Sequence, residues 1–553
     1  MKIHFTAVGA TLLALVACGG APALNRSTPT TPSVTVEAAR ASGSVFSVST
    51  RTSYLLKHMK QHMEVTAYVT RGLPRLDAFI RALTTTLEGF KAAANGEGFG
   101  YTVTEARTTN DVQFAKAAGL EEIELTENLD GSGGSVAGFM GLRFFYGTEV
   151  DVIPLSSLIY DVEGLDVWLT GKVRDLVASQ DDQVFRIGLL TGHHEAKLSE
   201  DNILPKWHHR GRTADGVNLQ QVFRDKFPFY NLIEVDLKGG STGVPEDLDG
   251  LLITQPTGDY SDQELRRIDD FVMRGKRLAV AASAVNVKAG DLSMTATLET
   301  HGLERLLTGY GIELSKDVVL DFGSPMQVSL QNDNMQTVGT MSMAAVPQLQ
   351  DNPRTSIKVG EPMLNKKSEI FARLSPLLFP YPSSLTLRPE RQPEARVQVL
   401  ARTSTRALSV RESGTSLHAR SENAITKNMH GEAAFYSQFN LAALVEGSLR
   451  SAFRSAVAPE KSSRPASVLV ISSAQLFTNP LVRALPKRSS ARTPKAGGEE
   501  EMQRAAWGYA DIAFRGTPNT FLAYKNILDW LSADADLNDS KGKAPTSTLP
   551  AAP

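Results

Sequence analysis

The chain has 553 residues, which is too long for one hydrophobic core and predicts two or three domains. Its 58 Lys and Arg residues nearly balance its 60 Asp and Glu residues, so a formal net charge of -2 gives no electrostatic support for a nucleic-acid partner. The single cysteine, Cys18, excludes internal disulfides and dithiol redox catalysis.

The first 18 residues have the pattern of a secretory signal peptide. Lys2 precedes a mostly apolar run that is roughly a dozen residues long, shorter than the ~20 residues of a membrane-spanning helix. The run ends in Leu15-Val16-Ala17-Cys18, which resembles the bacterial lipobox. The resemblance implies that Cys18 carries lipid and anchors the chain in the cell envelope, facing the periplasm, in either the inner or the outer membrane. An ordinary cleaved signal peptide is the alternative.

Two terminal segments are predicted to lack a fold. Residues 19–44 are rich in Gly, Pro, Ser, Thr and Ala, a composition that cannot bury a core and is typical of a flexible tether. Residues 538–553 are expected to form a disordered tail for the same reason. Beyond the signal peptide we find no apolar run of ~18 residues.

Residues 45–182 are predicted to form a small thioredoxin-like α/β domain. Strand-forming and helical patterns alternate, and the β-α-β order at its start predicts a parallel strand pair with a right-handed crossover. The predicted elements are the strand Glu64–Thr70, a helix from Pro74, the strand Tyr101–Thr104, a hairpin of Gly141–Gly147 with Val150–Leu155, and a helix over Tyr160–Ala178.

Residues 183–345 are predicted to contain a doubly wound, mostly parallel sheet with helices on both faces. Ser261 and Glu264 have the spacing of a capping box, and Gly275 is expected to end the helix that they begin. The other predicted elements are the strands Phe185–Gly192, Tyr230–Leu237, Gly250–Pro256 and Arg277–Ala282, and a helix over Val217–Phe227.

Residues 346–537 are expected to extend that sheet and not to form an independent fold. Apolar runs predict strands at Ala395–Ala401, Phe439–Val445 and Val468–Ser472, and a helix at Phe521–Leu531. Three remaining segments are predicted to be irregular or mobile: Pro347–Arg391, Arg402–Asn428 and Leu485–Gly498.

Five blocks of the sequence carry a family resemblance: RIGLLTGHHE, DGLLITQPTGDYSDQELRRIDDFVMRGKRLAVAAS, FYSQFNLAALVEGSLRSAF, ASVLVISSAQLFTNP and NTFLAYKNILDWLSADADL. From about residue 45 to 537 the chain resembles the GldG-type auxiliary proteins of ABC transport systems, first named from gliding motility. The resemblance implies a core related to the class I glutamine amidotransferase fold without its catalytic cysteine, and partnership with permease and ATPase subunits. Family members commonly end in a transmembrane helix after the DWL block. Here Leu537 leads into a polar tail, so the amino-terminal lipid is expected to replace that anchor.

Candidate ligand-binding residues lie in the loop that follows the predicted strand Phe185–Gly192, namely His193, His194 and Glu195. That loop lies at the carboxyl edge of the predicted sheet, where α/β proteins bind ligands. A second pair, His208-His209, with Glu200 and Asp201 before it, adds imidazole and carboxylate groups of the kind that bind zinc. No His-Glu-x-x-His spacing is present, so we assign no metal and no cofactor. A small ligand, a metal and a purely hydrogen-bonded loop remain alternatives.

Other motifs favour a non-catalytic role. Gly239–Gly243 matches Gly-x-Ser-x-Gly, but the strand from Gly250 leaves no room for the helix of a nucleophile elbow, so a turn is predicted and nucleophilic Ser241 is the alternative. Gly96, Gly98 and Gly100 follow a helix and precede a strand, the reverse of a dinucleotide motif. His58 and His62 have the spacing of one solvated helical face. No P-loop motif is present, so ATP hydrolysis is expected from a separate subunit.

These observations predict a non-catalytic, lipid-anchored extracytoplasmic subunit of an ABC transport system, in transport or in motility-related surface assembly. The alternative is a lipoprotein that binds a glycan or small solute at the His193–Glu195 edge.

Overall fold

A computed structural model describes residue 48, residues 50–473 apart from short internal segments, and residues 519–533. The internal segments outside the description are 96, 129–130, 156–158, 160–161, 163, 196, 200–206, 210–211, 215–217, 288–294, 332–336, 351–359, 375, 418–435 and 454–459. The predicted signal peptide, Cys18, the tether, the segment Leu485–Gly498 and the tail therefore lie outside the described residues. The chain divides into two compact units, the first ending at Gln183 and the second beginning at Val184. Within the described ranges, no helix is both long and apolar enough to cross a bilayer.

The first unit contains four helices and six strands among its described residues. Its helices are α1 (Thr50–Lys57), α2 (Pro74–Ala93), α3 (Thr109–Ala117) and α4 (Leu165–Gln180). Its strands are β1 (Met63–Val69), β2 (Phe99–Glu105), β3 (Ile123–Thr126), β4 (Ser135–Gly138), β5 (Gly141–Tyr146) and β6 (Glu149–Pro154).

The main sheet of the first unit has the strand order β2-β1-β5-β6. β1 and β2 are parallel, as the β-α-β order predicts, and β5 and β6 form the predicted hairpin. The helix predicted from Tyr160 begins at Leu165, because Gly164 has a left-handed φ of 75° that an α-helix cannot contain. Helix α3, which opens with a capping box of Thr108 and Asp111, and the hairpin of β3 with β4 were not predicted.

The second unit contains four helices and eighteen strands among its described residues. Its helices are α5 (Leu219–Lys226), α6 (Asp262–Met273), α7 (Leu303–Gly309) and α8 (519–531). Its strands are β7 (Phe185–Thr191), β8 (Trp207–His209), β9 (Arg212–Ala214), β10 (Tyr230–Asp236), β11 (Gly250–Ile253), β12 (Arg277–Ala281), β13 (Val285–Val287), β14 (Ala296–Leu298), β15 (Ile312–Leu314), β16 (Val318–Asp321), β17 (Pro325–Gln331), β18 (Thr337–Leu349), β19 (Leu377–Leu378), β20 (Leu385–Leu387), β21 (Ala395–Arg402), β22 (Ala407–Val410), β23 (Asn440–Gly447) and β24 (Ala466–Ile471).

A nine-stranded sheet in the order β10-β7-β11-β12-β24-β23-β20-β15, with β21 paired to β23, forms the centre of the second unit. Along the path from β10 to β24, the neighbours β10 and β7, β7 and β11, β11 and β12, and β12 and β24 are parallel. The strands from β23 onward are antiparallel to their neighbours. The prediction of a mostly parallel sheet is therefore wrong for four of the nine strands, β15, β20, β21 and β23, although the residues after 345 do extend the sheet as predicted.

Helices cover both faces of this sheet, as predicted. On one face, Leu251 and Ile253 of β11 join α6 and α7 in one apolar core. On the other, a Cβ added to Gly250 would lie 2.8 Å from Leu531 of α8. Because successive residues of a strand point to opposite faces, these contacts put α6 and α8 on opposite sides.

Strands β13, β14, β16–β19 and β22 lie outside the nine-stranded sheet and share a separate apolar core. The region Pro347–Arg391, predicted to be irregular, contributes β19 to this part and β20 to the main sheet. Both strands have at most three residues, which is too short for a periodic pattern to reveal.

We predict that Asp269→Ala destabilises the second unit. The Asp269 side chain is buried and accepts hydrogen bonds from the Tyr310 hydroxyl, from Ser451 Oγ at 2.6 Å and from Ala452 N–H at 2.9 Å. Alanine would remove the acceptor of the buried Tyr310 hydroxyl and of the Ala452 N–H, so we expect the free energy of unfolding in urea to fall by roughly 3 kcal/mol. Asp270→Ala, at a half-exposed position of the same helix, is the matched control and should change it by less than about 0.5 kcal/mol. Equal effects of the two substitutions would contradict the prediction.

Candidate functional site

The loop after β7 turns sharply at Gly192. Its φ of +118° favours glycine, and a Cβ there would lie 3.2 Å from Oδ1 of Asp236. The carbonyl of His193 then accepts hydrogen bonds from Thr257 N–H at 2.9 Å and Gly258 N–H at 3.0 Å. The loops that follow β7 and β11 are thereby joined at the carboxyl edge of the parallel strands.

The His193 imidazole lies between two buried carboxylates. Its Nε2 is 3.2 Å from Oε2 of Glu264, and its Nδ1 is 3.4 Å from Oε1 of Glu195. The second contact is not a hydrogen bond, since Nδ1 has no hydrogen-bond partner of good geometry. The backbone N–H of His193 also donates to Glu195 at 2.9 Å. Only 12% of the His193 side chain is exposed, so the residue predicted to meet ligand lies largely beneath the surface.

Tyr260, which is not among the predicted site residues, completes the environment of His193. Its hydroxyl donates to Oε1 of Glu195 at 2.6 Å, and its ring centroid is 4.0 Å from that of His193. Burial raises the pKa of Tyr260 well above its ordinary value, and the negative charge of Glu195 raises it further. Tyr260 therefore remains a protonated donor at neutral pH.

Glu264 connects three features that the sequence shows separately. As the predicted capping-box residue it accepts from Ser261 N–H at 2.9 Å and Ser261 Oγ at 2.8 Å. It also accepts from Gly239 N–H at 3.1 Å, in the Gly-x-Ser-x-Gly segment, and faces His193. Burial alone would raise the pKa of Glu264, but the Ser261 donors and then His193 outweigh burial and lower it.

Ser241 lies in a turn, as predicted. Lys238–Gly240 forms a short 3₁₀ turn with a left-handed φ of 66° at Gly239, and Ser241 is exposed beyond it. The Ser241 hydroxyl donates to the Lys238 carbonyl at 2.9 Å, and the next regular element of the chain is the strand β11. The strand-turn-helix geometry of a nucleophile elbow is therefore not formed here.

The described residues contain no group of three or more His, Cys, Asp or Glu side chains arranged to hold a metal ion. Around His193 the reason is geometric: the two carboxylates face opposite nitrogens of one ring, so their oxygens do not converge on one point with a nitrogen. His208 and His209 lie in β8, which pairs with β9, while Glu200 and Asp201 lie outside the described residues.

The prediction that His58 and His62 share a helical face is wrong, because α1 ends at Lys57. His58 stacks on Tyr54 and its Nδ1 lies 2.8 Å from the Tyr54 carbonyl. His62 lies 2.6 Å from the Glu97 carbonyl and 3.2 Å from Glu64. Each imidazole thus has separate local partners.

The fold and this edge define a mixed α/β protein with a His–carboxylate network where its parallel strands end. A family model described as "ABC-type uncharacterized transport system" matches residues 185–503, more than half of the 553 residues, and the chain belongs to that family of transport auxiliary proteins. The predicted resemblance is confirmed at this level.

Comparisons with solved structures and curated proteins add no further identification. The "mmIFT52 N-terminal domain" is 10% identical with a TM-score of 0.27, covering 53% of this chain and 88% of that one. The exo-beta-1,4-mannosidase Op5Man5 from Opitutaceae bacterium strain TAV5 is 8% identical with a TM-score of 0.20, covering 72% of this chain and 45% of that one. Such low TM-scores carry no conclusion about fold or function. No curated protein matches the chain.

We predict that Glu264→Gln changes how stability depends on pH. Because the folded-state pKa of Glu264 is below its ordinary value of 4.5, the ionised carboxylate stabilises the fold above that pH, and this contribution is lost as pH falls through the folded pKa. The melting temperature of Glu264→Gln should lie furthest below wild type near neutral pH, and the gap should narrow below about pH 4.5. Glutamine can keep the capping-box hydrogen bonds through its amide oxygen, but its amide nitrogen cannot accept from Gly239 N–H, so a part of the gap that does not depend on pH is also expected. Asp262→Asn, at an exposed position of the same turn, is the control, and a gap independent of pH would contradict the prediction.

Proposed function

We propose that this protein is a non-catalytic, lipid-anchored auxiliary subunit of an ABC transport system, acting outside the cytoplasm beside a permease and an ATPase. The family match over residues 185–503 is the observation that carries the proposal. The five sequence blocks support its narrower form, a GldG-type subunit in gliding motility or surface assembly.

The contacts at the carboxyl edge support a non-catalytic role. A nucleophile needs a base within hydrogen-bond reach, and a base needs a lone pair directed at the reacting proton. Here both ring nitrogens of His193 face carboxylates, the Tyr260 hydroxyl is bound to Glu195, and the Ser241 hydroxyl is bound to Lys238. Nε2 of His193 and the hydroxyls of Tyr260 and Ser241 thus each have a partner within the protein, and Ser241 is not bonded to His193.

We further propose specific folds for the two units. In the first, two parallel strands followed by an antiparallel hairpin, in the order β2-β1-β5-β6, support a thioredoxin-like fold. In the second, five neighbouring parallel strands support a relation to the amidotransferase-like fold. Since Cys18 is the only cysteine of the chain, a thioredoxin-like unit would serve as a binding module without dithiol chemistry.

Binding of a glycan or small solute at the same edge is the second candidate function. The supporting observation is the position of His194, which is exposed and has a left-handed φ of 57° immediately beside the network. Its side chain is therefore more accessible to a solute than those of His193 and Glu195, which are largely buried.

We predict that Cys18 determines both lipid labelling and recovery of the partners. A carboxyl-terminally tagged wild-type chain, expressed in its own host with radioactive palmitate, should be labelled, sediment with membranes and co-purify a permease and an ATPase. Cys18→Ala should lose the label and recover roughly tenfold less of both partners, because the tether raises their effective concentration.

The two parts of this experiment can fail independently. A labelled wild-type chain that recovers neither subunit would contradict the auxiliary role. Recovery of both subunits by an unlabelled wild-type chain would contradict the anchor alone.

For the second candidate, we predict that a bound glycan raises the melting temperature of the wild-type chain in a thermal-shift screen, and that His194→Ala abolishes the rise. His58→Ala, an exposed histidine of the first unit, is the matched control. A binding free energy of about 8 kcal/mol, equivalent to a micromolar Kd, would give a clear shift at millimolar ligand. An equal rise in wild type and His194→Ala would place the ligand elsewhere.

A further inference from the structure

In the described part of the first unit, the edge strand β2 of the main sheet has few of the features that block strand pairing. β2 is a regular seven-residue strand without proline or a register shift, packed against β1 and α2. The opposite edge, β6, contains Glu149, Asp151 and Pro154. In the nine-stranded sheet, β10 contains two acidic residues and β15 has only three residues. Charges, proline and short length are the means by which proteins prevent edge-to-edge pairing, and of these four edges β2 has the fewest, with one charged residue, Glu105, at its end.

The register with β1 determines which backbone groups of β2 point outward. The N–H of Ala106 donates to the Val69 carbonyl at 3.2 Å, so the even-numbered residues of β2 face β1. The N–H and C=O groups that point away from β1 consequently belong to the odd-numbered residues, Phe99, Tyr101 and Val103. They form a row of donors and acceptors along the edge of the sheet.

We infer that β2 pairs antiparallel with β2 of a second copy, about a two-fold axis at Thr102, so that the two four-stranded sheets become continuous. This register uses the outward groups, because Tyr101 then lies opposite Val103 and the two residues exchange both hydrogen bonds. Phe99 lies opposite Glu105, the only charged residue of the strand, so no like charges meet.

The sequence of the strand is complementary to itself in this register. Tyr101 of each copy faces Val103 of the other, and Thr102 faces Thr102. Aromatic pairs with β-branched residues and threonine pairs both stabilise antiparallel sheets. A self-complementary patch is what a two-fold symmetric interface requires. A strand of another protein could form the same backbone bonds, but only a second copy brings Thr102 against itself.

Disulfide trapping in the full chain tests both the partner and the register. Thr102→Cys would place two cysteines directly opposite, with Cα atoms about 4.5 Å apart, within the range of a disulfide. Thr104→Cys is the matched control on the same face: its two copies would lie four residues apart along the strands, roughly 13 Å, out of reach. The wild-type chain, with Cys18 alone, provides the background.

After mild oxidation, we expect Thr102→Cys to form at least roughly tenfold more disulfide-linked dimer than Thr104→Cys or wild type. Light scattering should give a wild-type dimer that Thr102→Lys and Thr102→Glu each reduce to monomer, and that an equal mixture of the two variants restores. Equal trapping of both cysteine variants, or a monomeric wild-type chain, would overturn the inference. Circular dichroism of each variant verifies that it is folded.

Discussion

The pairing of β12 with β24 is the interaction on which the second unit depends. Every residue of both strands is buried, and they run parallel in the register Arg277 to Ser467. Unpaired N–H and C=O groups in such an apolar environment would cost roughly 1–3 kcal/mol each, so neither strand is stable there alone. Residues far along the chain therefore complete the sheet that earlier residues begin, and β23, β20 and β15 are added beyond β24. The second unit is consequently one compact body, despite its insertions.

The amino and carboxyl ends of the parallel strands have different surroundings. At the first residues of β11 and β12, helix α8 approaches Gly250 closely, and Arg277 donates to the Trp530 carbonyl at 2.6 Å. The guanidinium also lies over the Trp530 ring, 5.4 Å from its centroid. Near the amino ends of these strands, one face of the sheet thus packs against the last turn of α8. At their carboxyl ends, by contrast, chain loops contact one another through His193 and leave exposed positions such as His194.

Much of the parallel half could be predicted from the sequence, because its signals are local. β7 and β11 are apolar runs, and the capping box of Ser261 with Glu264 marks the start of α6 within a few residues. The antiparallel half could not be predicted in full, since β15 and β20 have three residues each and are stabilised by their neighbours. The site could also be predicted only in part. His193 and Glu195 are close together in the sequence, whereas the contact of His193 with Glu264 joins residues 71 positions apart. Tyr260 had no sequence signal, because one tyrosine in a loop indicates nothing about its partners.

The charge on Glu264 explains why the carboxyl edge of the sheet is better suited to a structural role than to proton transfer. A carboxylate that acts as a general base or acid works best with a pKa raised toward the working pH, by burial without compensating donors. Glu264 has the opposite environment, since donors from Ser261 and Gly239 and the His193 ring lower its pKa. The carboxylate therefore stays ionised at neutral pH, and its contacts tie the loop after β7, the turn before Ser241 and the start of α6 to one point. Contacts of this kind favour one arrangement of the three segments, and a binding surface that is already arranged loses less free energy when it meets a partner.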